Sequence, residues 1–337
     1  HGLVRHTASA ALLLPLLMVL PLLAACGPTE GDAAAPTAAA PPADDRLQVV
    51  ATIGMVADLA REIGGDRVEV TTLVGPGIDP HSHRPSRDDV RRLLEADLVL
   101  ANGLGLEGRM LDALDRAAAA GVRVRRVAEG IDAARLLPAA GFPGVFDPHA
   151  WMDPGVWRDA AELVHEELLA IDPEGGERYA AGAATLAADL GALAAYADRV
   201  LASVPEPQRI LVTAHDAFGY LGRRHGYEVL AIQGLSTESE AGVRDIERLV
   251  DLLVERRVPA VFIESTVSER NIRALQAGAA ARGHEVRIGG SLFSDAMGPE
   301  GTWEGTYRGM IDHNVTAIAR ALGGDPPAGG MLGRLAE

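Results

Sequence analysis

The longest uninterrupted helical pattern of the chain covers residues 175–204, which read GGERYAAGAATLAADLGALAAYADRVLASV. The stretch is rich in alanine, contains no proline and places Leu186, Leu190 and Leu193 at helical intervals. Roughly 30 residues of α-helix extend about 45 Å. Because this exceeds the length of an ordinary globular helix, we predict a stiff helix over 173–204 that joins two lobes.

Short apolar runs alternate with helical patterns on both sides of this helix. The predicted strands before it are 47–53, 68–74, 96–102 and 122–127, and those after it are 210–215, 228–232, 260–264 and 285–289. Such alternation is typical of parallel sheets covered by helices. We therefore predict an α/β fold with two lobes, 47–172 and 205–325, each built on a parallel sheet of roughly four strands flanked by helices.

The composition excludes several classes of protein. The 337 residues include 47 acidic and 31 basic side chains, which gives a formal net charge of −16, and every basic residue is arginine. The absence of lysine excludes a P-loop ATPase and a Schiff-base enzyme, because both need that residue. The acidic balance, with only 3 Trp, 5 Tyr and 5 Phe, also argues against a nucleic-acid partner, which requires a basic surface and stacking rings.

The N-terminal 46 residues have the composition of an export signal followed by a tether. Residues 11–25, ALLLPLLMVLPLLAA, are entirely apolar, and the single cysteine, Cys26, follows directly. A short apolar run is typical of a secretory signal, and LAAC at its end resembles the lipobox of bacterial lipoproteins. We expect a signal peptide over 1–25, an extracytoplasmic protein anchored to the bacterial cell membrane by lipid on Cys26, and a flexible tether over 26–46. A plain signal peptide with an incidental cysteine is the alternative.

Four side chains that can bind a metal follow predicted strands. His81 lies in the loop after the second strand, His149 follows the fourth strand after a longer loop, and His215 ends the fifth strand. Asp295 lies beyond the last strand. Open α/β sheets bind ligands at the carboxyl ends of their strands. These residues, two from each half of the chain, can therefore converge in a cleft between the lobes.

Three imidazoles and one carboxylate form a chemically coherent site for a divalent cation. Imidazole nitrogen suits zinc, copper, iron and nickel, whereas a carboxylate also admits manganese. Carboxylates that can accept hydrogen bonds from the other ring nitrogens, and so orient the rings, are Asp147, Asp153, Asp216 and Glu264. For Glu264 a salt bridge is an equal alternative. A lone histidine in a loop is more often a solvated residue, and we interpret His83 in that way.

Six stretches distributed over 47–322 carry a family resemblance. They are VGPGIDPHSHRPSRDDV (74–90), ANGLGLE (101–107), DPHAWMDP (147–154), TAHDAFGYLGRRHG (213–226), VFIESTV (261–267) and LFSDAMGPEGTWEGTYRGMIDHNV (292–315). The third and the last are specific, whereas ANGLGLE alone is weak. Together they resemble the metal-binding lipoproteins of bacterial ABC importers, the zinc/manganese class of substrate-binding proteins. The resemblance implies two parallel-sheet lobes joined by one long helix, and metal ligands at His81, His149, His215 and Asp295.

The same resemblance implies a function without catalysis. A member of this class captures a divalent metal in the interlobe cleft and delivers it to an ABC permease, whose ATPase subunit supplies the energy. Some manganese-preferring members carry glutamate at the position of His215, and a third imidazole favours zinc because manganese lies lowest in the Irving–Williams order. The segment 292–315, however, resembles members that carry manganese as well as zinc. We predict a monomer that transports Zn2+, with Mn2+ as the alternative.

Two other functions are compatible with parts of the sequence. Gly103, Gly105 and Gly108 form a G-x-G-x-x-G pattern after a predicted strand, as in an NAD-dependent oxidoreductase. Against this, Glu107 would bring negative charge to the helix end where a pyrophosphate must bind. An exported zinc-dependent hydrolase could use the four metal ligands, but a catalytic zinc keeps three protein ligands and an open position for water.

Overall fold

A computed structural model describes residues 45–239 and 242–335 of the chain. The predicted signal peptide 1–25, Cys26 and all but the end of the tether 26–46 lie outside the described residues. The first half of the described chain contains the strands β1 (Leu47–Ile53), β2 (Val68–Val74), β3 (Leu98–Ala101) and β4 (Arg123–Arg126). They form one parallel sheet in the order β2-β1-β3-β4.

Helices cover this sheet as the alternating pattern predicts. They are α1 (Gly54–Gly64), α2 (Arg87–Glu95), α3 (Leu111–Ala119) and α4 (Pro154–Ile171). The last five residues of β1 are all buried, as expected of a central parallel strand that is covered on both faces. Helix α2 begins at a capping box, in which the Ser86 hydroxyl accepts a hydrogen bond from the Asp89 N–H. The loop before this cap carries His81.

The long helix α5 spans Gly176–Ala202 and follows a short 3-10 turn at Pro173–Gly175. Its 27 residues extend about 40 Å, and it packs against α1 and α4 and against the last helix of the chain. By length and hydropathy the segment Pro173–Ala202 could also cross a membrane. Leu186, Leu190 and Leu193 are buried within the fold, so α5 has the packing of a core helix.

The second half contains the strands β5 (Ile210–His215), β6 (Glu228–Gln233), β7 (Ala260–Glu264) and β8 (Arg287–Leu292). Their helices are α6 (Gly219–His225), α7 (Val243–Glu255), α8 (Arg270–Ala281) and α9 (Tyr307–Ala321). The strands hydrogen-bond as two parallel pairs, β5–β6 and β7–β8, and β5 lies beside β7. The four predicted strands are therefore adjacent, although their ladder is divided between β5 and β7.

The bounds of four strands, β3, β4, β6 and β8, differ from the predicted ones. The bounds of β1, β2, β5 and β7 are those predicted. Strand β3 is shorter than 96–102, because Ala96 is the C-cap of α2 and the Asn102 N–H donates to the Glu107 carboxylate. Strand β8 begins two residues later than predicted. The lobe boundaries at 47–172 and 205–325 stay a prediction.

Candidate metal centre

The four predicted ligands lie together at the carboxyl ends of the strands. His81 follows β2, His149 lies just before the 3-10 turn that leads into α4, His215 is the last residue of β5, and Asp295 follows β8. All four are buried, with exposed fractions of 4% for His81, 1% for Asp295 and 0% for the other two. The fold therefore brings residues from four separate segments into one interior cluster.

The cluster has the dimensions of a single cation site. One ligand atom from each side chain can be chosen so that all four lie within 4.8 Å of one another. The Nε2 atoms of His81 and His149 are 3.4 Å apart. The Asp295 carboxylate lies 3.0 Å from His215 Nε2, 3.3 Å from His149 Nε2 and 3.6 Å from His81 Nε2. Three ring nitrogens thus surround one carboxylate at distances that a shared cation can bridge.

Buried polar atoms without hydrogen-bond partners converge on the centre of the cluster. Among the described residues, His215 Nε2 and both oxygens of Asp295 are buried without a partner in hydrogen-bond geometry. Buried polar atoms are nearly always paired, and leaving a buried acceptor unpaired costs about 1–3 kcal/mol. A cation at the centre would satisfy all of these atoms at once.

Two carboxylates orient the histidine rings from outside the cluster. Asp147 Oδ1 lies 2.7 Å from His149 Nδ1 and also accepts the His149 N–H at 2.9 Å. Glu264 Oε2 lies 2.5 Å from His215 Nδ1, and its other oxygen accepts the His215 N–H at 2.9 Å. A carboxylate acceptor at Nδ1 holds the ring proton there. It thereby directs the Nε2 lone pair of each ring towards the centre.

The charges of the cluster shift the pKa values of its members. Burial alone would lower the pKa of His149, but the carboxylates of Asp147 and Asp295 outweigh it and raise the pKa to about 9. For His215, Asp295 and Glu264 likewise outweigh burial and hold the pKa well above its usual value. Burial lowers the pKa of His81 to about 4. The cluster therefore attracts positive charge, which either protons or a metal ion can supply.

The backbone around Asp295 is fixed by side chains from other segments. The Asn314 amide, on α9, both accepts from the Phe293 N–H at 2.9 Å and donates to the Phe293 carbonyl at 2.7 Å. The Trp151 indole N–H donates to the Ser294 carbonyl at 2.9 Å. This last bond joins the segment that carries His149 to the segment that carries Asp295.

Asp153 and Asp216, the other two carboxylates predicted to orient the histidine rings, make different contacts. Asp153 caps α4 through Gly155 N–H and pairs with Arg224 at 2.9 Å, so the structure places it away from the ring nitrogens. Asp216 lines a cavity of about 460 Å³ together with His81, Phe142 and other apolar residues. Burial raises the pKa of Asp216. Of the four residues of the cluster, His81 is the one that lines this cavity.

A side chain of the glycine-rich loop itself bonds the N–H groups at the start of that loop. Gly103 and Gly105 have φ values of 85° and 82°, which favour glycine. Glu107 is buried and accepts from the N–H groups of Asn102 and Gly103 at 2.7 and 3.0 Å. A dinucleotide loop needs such N–H groups for phosphate, and here the Glu107 carboxyl group accepts their hydrogen bonds. The geometry therefore contradicts a nicotinamide site at Gly103, Gly105 and Gly108.

Asp79 lies outside the set of side chains that the sequence predicted. Its Oδ1 accepts the N–H of His81 at 2.9 Å, and its spacing to His81 repeats that of Asp147 to His149. The repeated Asp-Pro-His sequence at 79–81 and 147–149 is the signal that could have identified it.

Comparison with known proteins places the chain in one family. The family model described as zinc-uptake complex component A, periplasmic (ZnuA), matches residues 49–321. The manganese-binding lipoprotein MntA of Bacillus subtilis (strain 168) is 45% identical over 280 residues, which cover 83% of this chain and 91% of the relative. The zinc-binding protein TroA of Treponema pallidum (strain Nichols) is 42% identical over 280 residues, or 83% and 90% of the two chains.

Solved structures agree with the sequence comparison. The periplasmic zinc-binding protein TroA from Treponema pallidum superposes with a TM-score of 0.80 at 42% identity, covering 82% of this chain and 99% of that one. Fe(III)-bound YtgA from Chlamydia trachomatis gives a TM-score of 0.75 at 28% identity, with 83% and 99% covered. The predicted two-lobed α/β fold class is confirmed. The chain belongs to the ZnuA family of metal-binding substrate-binding proteins of ABC importers.

Proposed function

We propose that the chain captures a divalent transition metal with His81, His149, His215 and Asp295. The observation that carries this proposal is the convergence of three Nε2 atoms and one carboxylate, all buried and within 4.8 Å of one another. Elemental analysis after native purification should find about one transition-metal ion per chain. A preparation that neither contains a metal nor takes up added zinc or manganese would contradict the proposal.

Zinc is the metal that the donor set favours. Three imidazoles with one carboxylate suit zinc better than manganese, which prefers oxygen ligands and forms weaker complexes. The relatives are named for different metals, zinc in TroA and manganese in MntA. The types of the four ligands are therefore a better guide to the metal than the names of the relatives. Competitive titration of the metal-free protein with both ions should give a lower Kd for zinc. Preference for manganese at equal concentrations would reverse the assignment.

The number of protein ligands fits a protein that captures a metal ion and delivers it, and does not fit an enzyme. Four protein side chains fill a tetrahedral shell, whereas a catalytic zinc keeps a position for water. We propose that an ABC permease, driven by its ATPase subunit, receives the metal from this protein. The rival function, a zinc-dependent hydrolase, predicts turnover of ester, phosphoester or peptide substrates by the zinc-loaded protein. Robust turnover that is lost in His215→Ala would favour that rival.

We also propose that the protein acts outside the cytoplasm as a lipid-anchored monomer. The apolar run 11–25 before Cys26 supports export and lipidation, and no nucleic-acid partner is expected from the net charge of −16. Cys26→Ser should release the exported chain from the membrane fraction into the soluble fraction. Light scattering of the purified chain should give the mass of a monomer.

A further inference from the structure

The three histidines of the cluster are held in two different ways. The rings of His149 and His215 bond through Nδ1 to the buried carboxylates of Asp147 and Glu264. His81 is held through its backbone, whose N–H donates to Asp79 Oδ1 at 2.9 Å. The position of His81 therefore depends on what holds Asp79.

Asp79 also bonds to the opposite half of the chain. Its second oxygen, Oδ2, accepts from the Thr237 hydroxyl at 2.6 Å and from the Ser82 hydroxyl at 2.9 Å. Thr237 lies between β6 and α7, in the half that supplies His215 and Asp295. One carboxylate thus joins the loop of His81 to the other side of the cluster.

The segment 234–239 that carries Thr237 is fixed to the strand beside His215. The Gln233 side-chain amide donates to the carbonyls of Thr237 at 3.3 Å and Ser239 at 2.9 Å. Gln233 ends β6 and is the register partner of His215 on β5. Continuous contacts therefore lead from His215 through Gln233, Thr237 and Asp79 to His81.

An ion pair also connects the two halves of the chain, but it contributes less to holding them together. Arg109 pairs with Glu238, and their side chains are 46% and 38% exposed. Exposed ion pairs contribute little, because water and salt screen them. The hydrogen bond from Thr237 to Asp79 is part-buried and has an anionic acceptor, which makes it the stronger of the two connections.

We propose that Asp79 and Thr237 are positioning residues that latch His81 onto the bound metal. While the Thr237 hydroxyl holds Asp79, the loop of His81 is tied to the half that carries His215 and Asp295. Breaking that bond frees the loop, so that His81 can leave the metal before the other ligands do. This inference rests on the proposed metal-binding function and adds a release step to it.

The test is the rate of zinc release from the purified full chain. Zinc-loaded protein is mixed with excess chromogenic chelator in a stopped-flow instrument, for wild type, Thr237→Val, Thr237→Ser and Thr185→Val. Thr185 lies exposed on α5 and bonds within its own helix, so Thr185→Val is a matched control. Thr237→Val should release zinc on the order of ten-fold faster, as expected for loss of a hydrogen bond to a charged group. Thr237→Ser and Thr185→Val should match wild type.

A double-mutant cycle tests whether Thr237 acts through Asp79. In an Asp79→Ala background, Thr237→Val should add no further increase in the release rate. Wild-type release from Thr237→Val, or an undiminished effect of Thr237→Val in that background, would overturn the latch. Failure of the wild type to bind zinc or manganese would instead overturn the proposed function. If Asp79→Ala does not fold, the Thr237→Val and Thr237→Ser pair decides the proposal alone.

Discussion

Substituting Glu264 by glutamine should prevent the proposed ligand His215 from binding a metal without changing the shape of the cluster. Glu264 uses one oxygen for the His215 N–H and the other for His215 Nδ1, at 2.9 and 2.5 Å. The backbone N–H can only donate, so the amide oxygen of glutamine must face it. The amide NH2 group then faces Nδ1, which must act as an acceptor. The ring proton moves to Nε2 and blocks the lone pair that would bind the metal.

The matched variant Asp147→Asn should behave differently because of one atomic detail. Asp147 uses a single oxygen, Oδ1, for both the His149 N–H and His149 Nδ1. Asparagine retains an oxygen that can accept both hydrogen bonds, so the Nδ1-protonated form of His149 survives. Only the negative charge is lost, and with it the stronger character of a charged acceptor. The two conservative substitutions therefore separate ring orientation from charge.

The expected magnitudes follow from what such partners contribute. Loss of an outer partner of a metal-binding histidine lowers metal affinity about 10–100-fold, or roughly 1.4–2.8 kcal/mol. We expect Glu264→Gln to fall in that range and Asp147→Asn to stay within about ten-fold of wild type. Competition with a chromogenic zinc chelator gives both affinities, and nitrogen NMR of the imidazoles reports the tautomers. Wild-type affinity in Glu264→Gln, or an equal loss in Asp147→Asn, would refute the tautomer argument.

Three further substitutions test the site and its frame. His215→Ala should weaken zinc binding by more than about 100-fold, because losing a ligand costs more affinity than losing a residue that only orients a ligand. The same competition titration measures this loss, and an unchanged affinity would contradict the role of His215 as a ligand. Trp151→Phe removes the hydrogen bond to the Ser294 carbonyl and should lower the free energy of unfolding by about 1–3 kcal/mol, as measured with urea. Burial raises the pKa of Asp58 to about 6 from 3.8, so its contribution to stability is complete below pH 3.8 and is lost as the pH rises through 6. The stability of Asp58→Asn relative to wild type should therefore increase by about 2.4 kcal/mol between pH 4 and pH 7. A stability difference that does not depend on pH would contradict the raised pKa of Asp58.

The strands were predictable where burial alone determines them. In β1 and β5 the residues at the centre of each strand are all buried, as expected of parallel strands that are covered on both faces, and the bounds of both strands match the prediction. The end of β3 was not predictable in that way. Glu107 folds back five residues to bond the Asn102 N–H, and a local sequence pattern does not reveal which backbone group a buried carboxylate will find.

In the site, too, hydrogen bonds between residues close in sequence were predictable, whereas those between distant residues were not. Asp79 and Asp147 each precede a histidine by two residues, with proline between them, and in both cases Oδ1 accepts the histidine N–H at 2.9 Å. This contact is local, so the sequence Asp-Pro-His contains what is needed to predict it. The same tripeptide does not determine the hydrogen-bond partner of the histidine ring. Asp147 also bonds Nδ1 of His149, whereas the second oxygen of Asp79 bonds Thr237.

The difference between the two Asp-Pro-His segments arises from their surroundings. Asp147 is buried, with an exposed fraction of 2%, and its segment joins that of Asp295 through the Trp151 hydrogen bond. A histidine ring there has a buried anion beside it and little room to turn. Asp79 lies in the loop after β2, where the hydroxyl groups of Thr237 and Ser82 both donate to its second oxygen. The same tripeptide thus leaves the His149 ring bonded to a buried carboxylate, whereas at His81 the aspartate bonds to the other half of the chain.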